Sequence, residues 1–104
     1  MLIVTESSEY RNKVDAIIGR VSEKEDISWS QARTILHKYV CGGKCGWYKS
    51  ESRRAGFDRH DLRVEQKNLI EETVAEIVKN LSLEEAKWRI HGVLCPGHPR
   101  PRPK

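Results

Sequence analysis

The sequence predicts a small all-α domain of four helices, and three observations support this fold class. The chain has 104 residues, which is the length of a single domain. Apolar residues recur at intervals of three and four in four segments, as they do on one face of an α-helix. No segment shows the alternation of apolar and polar residues that is typical of a strand. We therefore expect one helical domain over residues 1–98, followed by a disordered Pro/Arg tail over residues 99–104.

The first two helices are predicted over about residues 6–21 and from Ser28 to Gly42. The apolar face of the first consists of Tyr10, Val14, Ile17, Ile18 and Val21. The second opens with a capping box, in which Ser28 and Gln31 satisfy each other's free backbone N–H groups. Its apolar stripe starts at Trp29, and Gly42 with Gly43 ends it because glycine sustains a helix poorly.

Residues 44–60 are predicted to form a long loop. Their apolar residues follow no period, and glycines stand at positions 46 and 56. A loop of this length is uncommon in a compact domain and is often functional.

The third helix is predicted over about residues 61–80, and the fourth runs from its cap at Ser82 to Gly92. Ser82 and Glu85 have the spacing of a second capping box. All four prolines follow within residues 96–103, where they prevent a helix. The apolar face of the third helix consists of Leu62, Leu69, Ile70, Val74, Ile77, Val78 and Leu81, and that of the fourth of Leu83, Ala86 and Ile90.

Two short motifs predict a structural zinc site. Cys41 and Cys45 form a C-x3-C pair after the second helix, and Cys95 and His98 form a C-x2-H pair after the fourth. Each pair encloses glycine, which permits the turn that brings both side chains onto one ion. Three thiolates and one imidazole are a normal set for Zn²⁺, and a site closed by four protein ligands is structural rather than catalytic. Such a site would join the ends of the two helices.

The spacing leaves alternatives to this zinc site open. The same residues suit an iron–sulfur cluster, Cys41 and Cys45 suit a disulfide, and cysteine is also a common core residue without any metal. His37 lies four residues before Cys41 and is the alternative fourth ligand. We prefer His98 because it pairs with Cys95 in a tight turn.

The positive charge of the chain is concentrated in two segments. Residues 31–60 carry seven basic and two acidic residues, and residues 96–104 carry three basic residues and no acid, within a net charge of +4. Both segments adjoin the predicted zinc ligands, so the metal would bring them to one end of the molecule. Such a surface suits phosphate contact. The predicted nucleic-acid-binding residues are Lys44, Lys49, Arg53, Arg54, Arg59, Arg100, Arg102 and Lys104.

These patterns predict a non-enzymatic zinc-binding module that binds nucleic acid, of the kind that regulates transcription. The alternative is a protein-binding adaptor or inhibitor of a larger cytosolic machine, with the Pro/Arg tail docking as a polyproline segment. No familiar catalytic motif is present. The compact cluster from Asp58 to Asp61 is interpreted as the cap of the third helix.

The sequence also predicts a cytoplasmic protein with no membrane partner. No apolar run approaches the roughly 20 residues needed to cross a bilayer. The apolar opening from Met1 to Val4 is too short for the core of a signal peptide. Three cysteines in a chain of this kind suit metal ligands or thiols better than a disulfide framework.

Overall fold

The computed structural model of the chain describes residues 6–42, 46–56, 62–79 and 81–94. Within these ranges the chain forms five helices and no strand, which confirms the predicted all-α class. The helices are α1 (Glu6–Glu25), α2 (Trp29–Cys41), α3 (Gly46–Ala55), α4 (Val64–Ile77) and α5 (Leu83–Leu94).

Four of the helices enclose the hydrophobic core. α1 packs against α2, α4 and α5, and α2 packs against α5. The buried apolar side chains lie on the faces that periodicity predicts, because spacings of three and four residues return to the same side of a helix. They are Val14, Ile17, Ile18 and Val21 from α1, Ala32, Ile35, Leu36 and Val40 from α2, Ile70 and Val74 from α4 with Val78 just after it, and Ala86, Ile90 and Leu94 from α5.

The ends of α2 are as predicted. The Gln31 N–H donates to Ser28 Oγ and the Ser28 N–H donates to Gln31 Oε1, both at 3.1 Å, which confirms the capping box. Gly42 ends the helix with a φ of 77°, a left-handed conformation that glycine adopts without strain. Its N–H donates to the carbonyl oxygen of Lys38 at 2.8 Å. At the start of α5, the Glu85 N–H donates to Ser82 Oγ at 3.2 Å.

The prediction of a loop over residues 44–60 is wrong for the part from Gly46 to Ala55, which is α3. The described residues therefore contain five helices rather than four. The prediction failed because it relied on an apolar period, whereas Glu51 and Ser52, which are withdrawn from solvent among the described side chains of α3, are polar. Residues 43–45 and 57–61 lie outside the described residues.

Several helix limits and faces also differ from prediction. α1 continues through Gly19 to Glu25, and α5 continues through Gly92 to Leu94. α4 is shorter than the predicted 61–80. Trp29 is 46% exposed rather than part of the core, because as the first residue of α2 it lies at the edge of the packed helices. Its ring lies 3.6 Å from the position that a Cβ on Gly19 would take.

Polar contacts fix the outer side of α1 to α4. Glu25 accepts hydrogen bonds from Gln66 Nε2 at 3.1 Å and from Arg63 Nη2 at 3.3 Å. Further along the same two helices, Arg20 Nη1 lies 2.5 Å from Glu76 Oε2. None of the helices in the described ranges combines the length and the apolar character that crossing a membrane requires.

We predict that the core at α4 stabilises the fold far more than the exposed start of that helix. Val74 is 2% exposed and Val64 is 66% exposed, so the same substitution tests both environments. Val74→Ala should lower the free energy of unfolding by about 2 kcal/mol, because it removes buried methyl groups and leaves a cavity. Val64→Ala should change it by about 0.5 kcal/mol or less. Urea unfolding of both variants measures the difference, and equal midpoints would contradict the packing.

Candidate nucleic-acid interface

α3 is held to the domain through α2, the only helix with which it packs among the described elements. The carboxylate of Glu51, on α3, contacts two side chains of α2. Its Oε1 accepts from Arg33 Nε at 2.5 Å, and its Oε2 lies 2.7 Å from His37 Nδ1. Arg33 and His37 are one turn apart on α2 and therefore face the same side. Near the end of α3, Gln31 Nε2 donates to the carbonyl oxygen of Ala55 at 3.4 Å.

The contact between α2 and α3 is both buried and polar. His37 is 0% exposed and Ser52 is 2% exposed. Burial disfavours the ionised form of Glu51, but the hydrogen bond with His37 and the charge of Arg33 outweigh it, so the pKa of this carboxyl is lowered. Glu51 is therefore ionised at neutral pH, and Arg33 compensates its charge inside the contact.

Sequence reasoning missed α3 as an element, although two local signals mark its end. Gly56 follows the helix with a φ of 77°, and its N–H donates to the carbonyl oxygen of Arg53 at 3.2 Å. Arg53 and Arg54 occupy the last turn, where positive charge is favourable to the helix dipole. Basic residues in the last turn, followed by a glycine after the final helical residue, are typical of a helix end.

The outer face of α3 is basic. Lys49, Ser50, Arg53 and Arg54 are exposed and together line an open surface groove. Arg54 Nη2 donates to Ser50 Oγ at 3.2 Å. The single acid of α3, Glu51, is directed to Arg33 and His37 instead. Three of the predicted nucleic-acid-binding residues thus share one face from which acidic side chains of α3 are absent.

The other predicted contact residues fall outside the described residues. They are Lys44, Arg59, Arg100, Arg102 and Lys104. Their role remains a prediction from the sequence. Lys44 and Arg59 stand two residues before and four residues after α3 in the chain, so the basic character of the helix continues into its flanking sequence.

Of the four predicted zinc ligands, only Cys41 lies within the described residues. This residue ends α2 and packs, half-buried, against the hydrophobic core. Cys45, Cys95 and His98 lie outside the described residues, as does the tail over residues 99–104. Among the residues that are described, no three His, Cys, Asp or Glu side chains are grouped so as to hold a metal ion. The zinc site thus stays a prediction.

A second groove surrounds Tyr39, on the side of α2 that meets α4 and α5. The Tyr39 hydroxyl donates to Glu71 Oε2 at 2.7 Å, and Lys87 Nζ lies 4.7 Å from the centroid of the Tyr39 ring. Lys38 and Lys67 also line this groove. Burial, the hydrogen bond to Glu71 and the negative charges of Glu71 and Glu84 all raise the pKa of the Tyr39 hydroxyl.

Comparison of the chain with protein-family models, with curated proteins and with solved structures gives no match.

We predict that Glu51→Gln lowers the free energy of unfolding by about 1–3 kcal/mol, because it removes the charge that pairs with Arg33 in a partly buried contact. Glu72→Gln, a matched change at an exposed position of α4, should change it by about 0.5 kcal/mol or less. Urea unfolding at neutral pH measures both. If the two variants unfold at the same urea concentration, Glu51 does not hold α3.

We further predict that Tyr39 resists ionisation. Because its pKa is raised in the folded state, its contribution to stability is complete below about pH 10, the ordinary range of tyrosine, and is lost as the pH rises above it. Absorbance at 295 nm during an alkaline titration should show one of the three tyrosines ionising only with unfolding. Tyr39→Phe should remove that late step; its persistence in the variant would assign it to another tyrosine.

Proposed function

We propose that this protein is a small nucleic-acid-binding module, of the kind that regulates transcription, and that α3 is its contact helix. The observation that carries the proposal is the outward arrangement of Lys49, Arg53 and Arg54 around one groove, with the acid of the same helix turned inward. A face of this composition attracts phosphates, because each basic residue that meets a phosphate releases a bound counterion.

The connection between α2 and α3 supports this proposal. Four residues, including Gly42 and Gly43, separate the end of α2 from the start of α3. Two helices separated by a short glycine-containing connection, the second of them with exposed basic residues, have the order of parts found in helix-turn-helix modules. The major groove of B-DNA is about 12 Å wide and admits an α-helix. We therefore favour duplex DNA as the ligand over single strands.

We infer further that Zn²⁺ supports the domain as a structural ion, with Cys41, Cys45, Cys95 and His98 as the predicted ligands. Cys41 is the last residue of α2, and Cys95 directly follows the last residue of α5. Such an ion would stabilise a domain whose core is small.

The test is fluorescence anisotropy of labelled duplex and single-stranded DNA over a range of salt concentrations. The wild type should bind duplex DNA at low salt, and its affinity should fall steeply as salt rises. The triple variant Lys49→Ala, Arg53→Ala, Arg54→Ala should reduce the slope of log affinity against log salt by about 2.7, because about 0.9 is lost for each phosphate contact.

A matched triple variant controls for the change in net charge. Arg11→Ala, Lys24→Ala and Lys79→Ala remove the same charge from exposed positions on or beside α1 and α4. This variant should keep the wild-type slope. If both triple variants reduce the slope of log affinity against log salt equally, α3 is not the contact helix. Absence of binding at low salt would favour the alternative function, a protein-binding adaptor or inhibitor.

A further inference from the structure

The groove around Tyr39 receives positive charge from three different helices. Lys38 of α2, Lys67 of α4 and Lys87 of α5 all line it. Among the described residues of the lining, the one acid is Glu71. The groove has a volume of about 520 Å³, which is within the range of sites that hold small molecules. Its charge and its size therefore suit a small anion.

Lys87 has the surroundings of an ammonium group that lacks its anion. Its side chain is only 19% exposed. The ion pair that it forms with a described residue joins Nζ to Glu84 Oε1 at 4.0 Å, and the centroid of the Tyr39 ring lies 4.7 Å from Nζ. Both distances exceed the roughly 3 Å of a hydrogen bond, whereas an ammonium has three N–H donors. Because the group is largely withdrawn from water, an acceptor supplied by a ligand would stabilise it.

The other groups of the groove suit the remainder of such a ligand. Lys67 is exposed and supplies a second positive charge from α4. The Tyr39 ring and the half-buried Leu62 supply apolar surface. The volume of the groove is many times the roughly 30 Å³ that one water molecule occupies in the liquid. The groove therefore has room for an organic group beside the anion.

We propose that the Tyr39 groove binds the phosphate group of a small molecule, with Lys87 and Lys67 as its direct contacts. A phosphate monoester carries nearly two negative charges at neutral pH, so it suits two lysines on helices that pack together. A carboxylate carries only one. The simpler interpretation is that both lysines cover apolar surface with their stems and keep their charges in water. Only the first interpretation requires saturable binding of phosphate.

This site is separate from the proposed contact helix. His37 contacts α3, whereas Tyr39 lines the groove to which α4 and α5 also contribute. Successive residues of an α-helix are turned by about 100°, so Tyr39 and His37 project from α2 about 160° apart. The inference thus goes beyond the proposed function, and substitutions in the groove and in α3 test the two independently.

The test is isothermal titration calorimetry of the full chain at low salt with inorganic phosphate, adenosine monophosphate and adenosine. Adenosine monophosphate should bind with one-to-one stoichiometry, inorganic phosphate should compete with it, and adenosine should not bind. Tighter binding of the nucleotide than of inorganic phosphate would assign the groove to an organic phosphate, and equal affinities would assign it to the free ion. If neither phosphate probe binds at millimolar concentration, the proposal is wrong.

Two pairs of variants locate the binding. Lys87→Gln and Lys67→Gln should each weaken the binding of inorganic phosphate about tenfold or more, because each removes a charged hydrogen bond. Lys24→Gln and Lys79→Gln make the same change at exposed positions outside the groove, so they should leave the affinity unchanged. If all four variants weaken binding equally, net charge and not the groove holds the anion.

Glu71→Gln gives a result of the opposite sign. The amide keeps an acceptor for the Tyr39 hydroxyl but removes the negative charge beside the groove. It should therefore strengthen the binding of inorganic phosphate several-fold. Weaker binding in this variant would contradict the proposal, and a variant that merely unfolds could not bind more tightly.

The same variants separate this site from the proposed DNA contact. Lys87→Gln should keep the wild-type dependence of duplex affinity on salt. If it instead reduces that dependence and leaves the phosphate titration unchanged, the groove is part of a nucleic-acid contact and the small-molecule site is wrong. Binding of the phosphate probes by a chain that binds no DNA would refute the proposed function and support the groove.

Discussion

The Glu51 carboxylate is the contact on which the position of α3 depends. Among the described helices only α2 packs against α3, and Glu51 and Ser52 are withdrawn from solvent among the side chains described in α3. Arg33 and His37 bind the Glu51 carboxylate with two charge-assisted hydrogen bonds, which are stronger than neutral ones and depend strictly on geometry. A partly buried carboxylate left without them would destabilise the contact.

This arrangement also leaves the outer face of α3, over its described side chains, without an acid. An acid among Lys49, Arg53 and Arg54 would reduce their attraction for phosphate, but the acid of this helix is used inside the contact. One residue thus attaches the helix and leaves its exposed face positive. The same carboxylate also lies 2.7 Å from Nδ1 of the buried His37 ring.

The helices of the core were predictable from the sequence, and α3 was not. Val14, Ile17, Ile18 and Val21 lie at helical spacings, so local periodicity was sufficient to place them in the core. The capping box at Ser28 is likewise local, since both of its partners lie within four residues. The face of α3 carries no such pattern. The prediction that Trp29 belongs to the apolar stripe of α2 failed in the opposite direction. Trp29 is strongly apolar and follows a cap, yet at the first position of α2 it remains 46% exposed.

Local spacing therefore determined the all-α class, the core faces, the limits of α2 and the positions of the basic residues along the chain. Only the tertiary structure decided that Glu51 faces inward while its basic neighbours face outward, and that His37 is buried beside it. The reason is the distance between the partners: Glu51 is 18 residues from Arg33 and 14 from His37. A periodic pattern reports burial of apolar side chains within one helix. A buried charge is stable only where another helix supplies its hydrogen-bond donors.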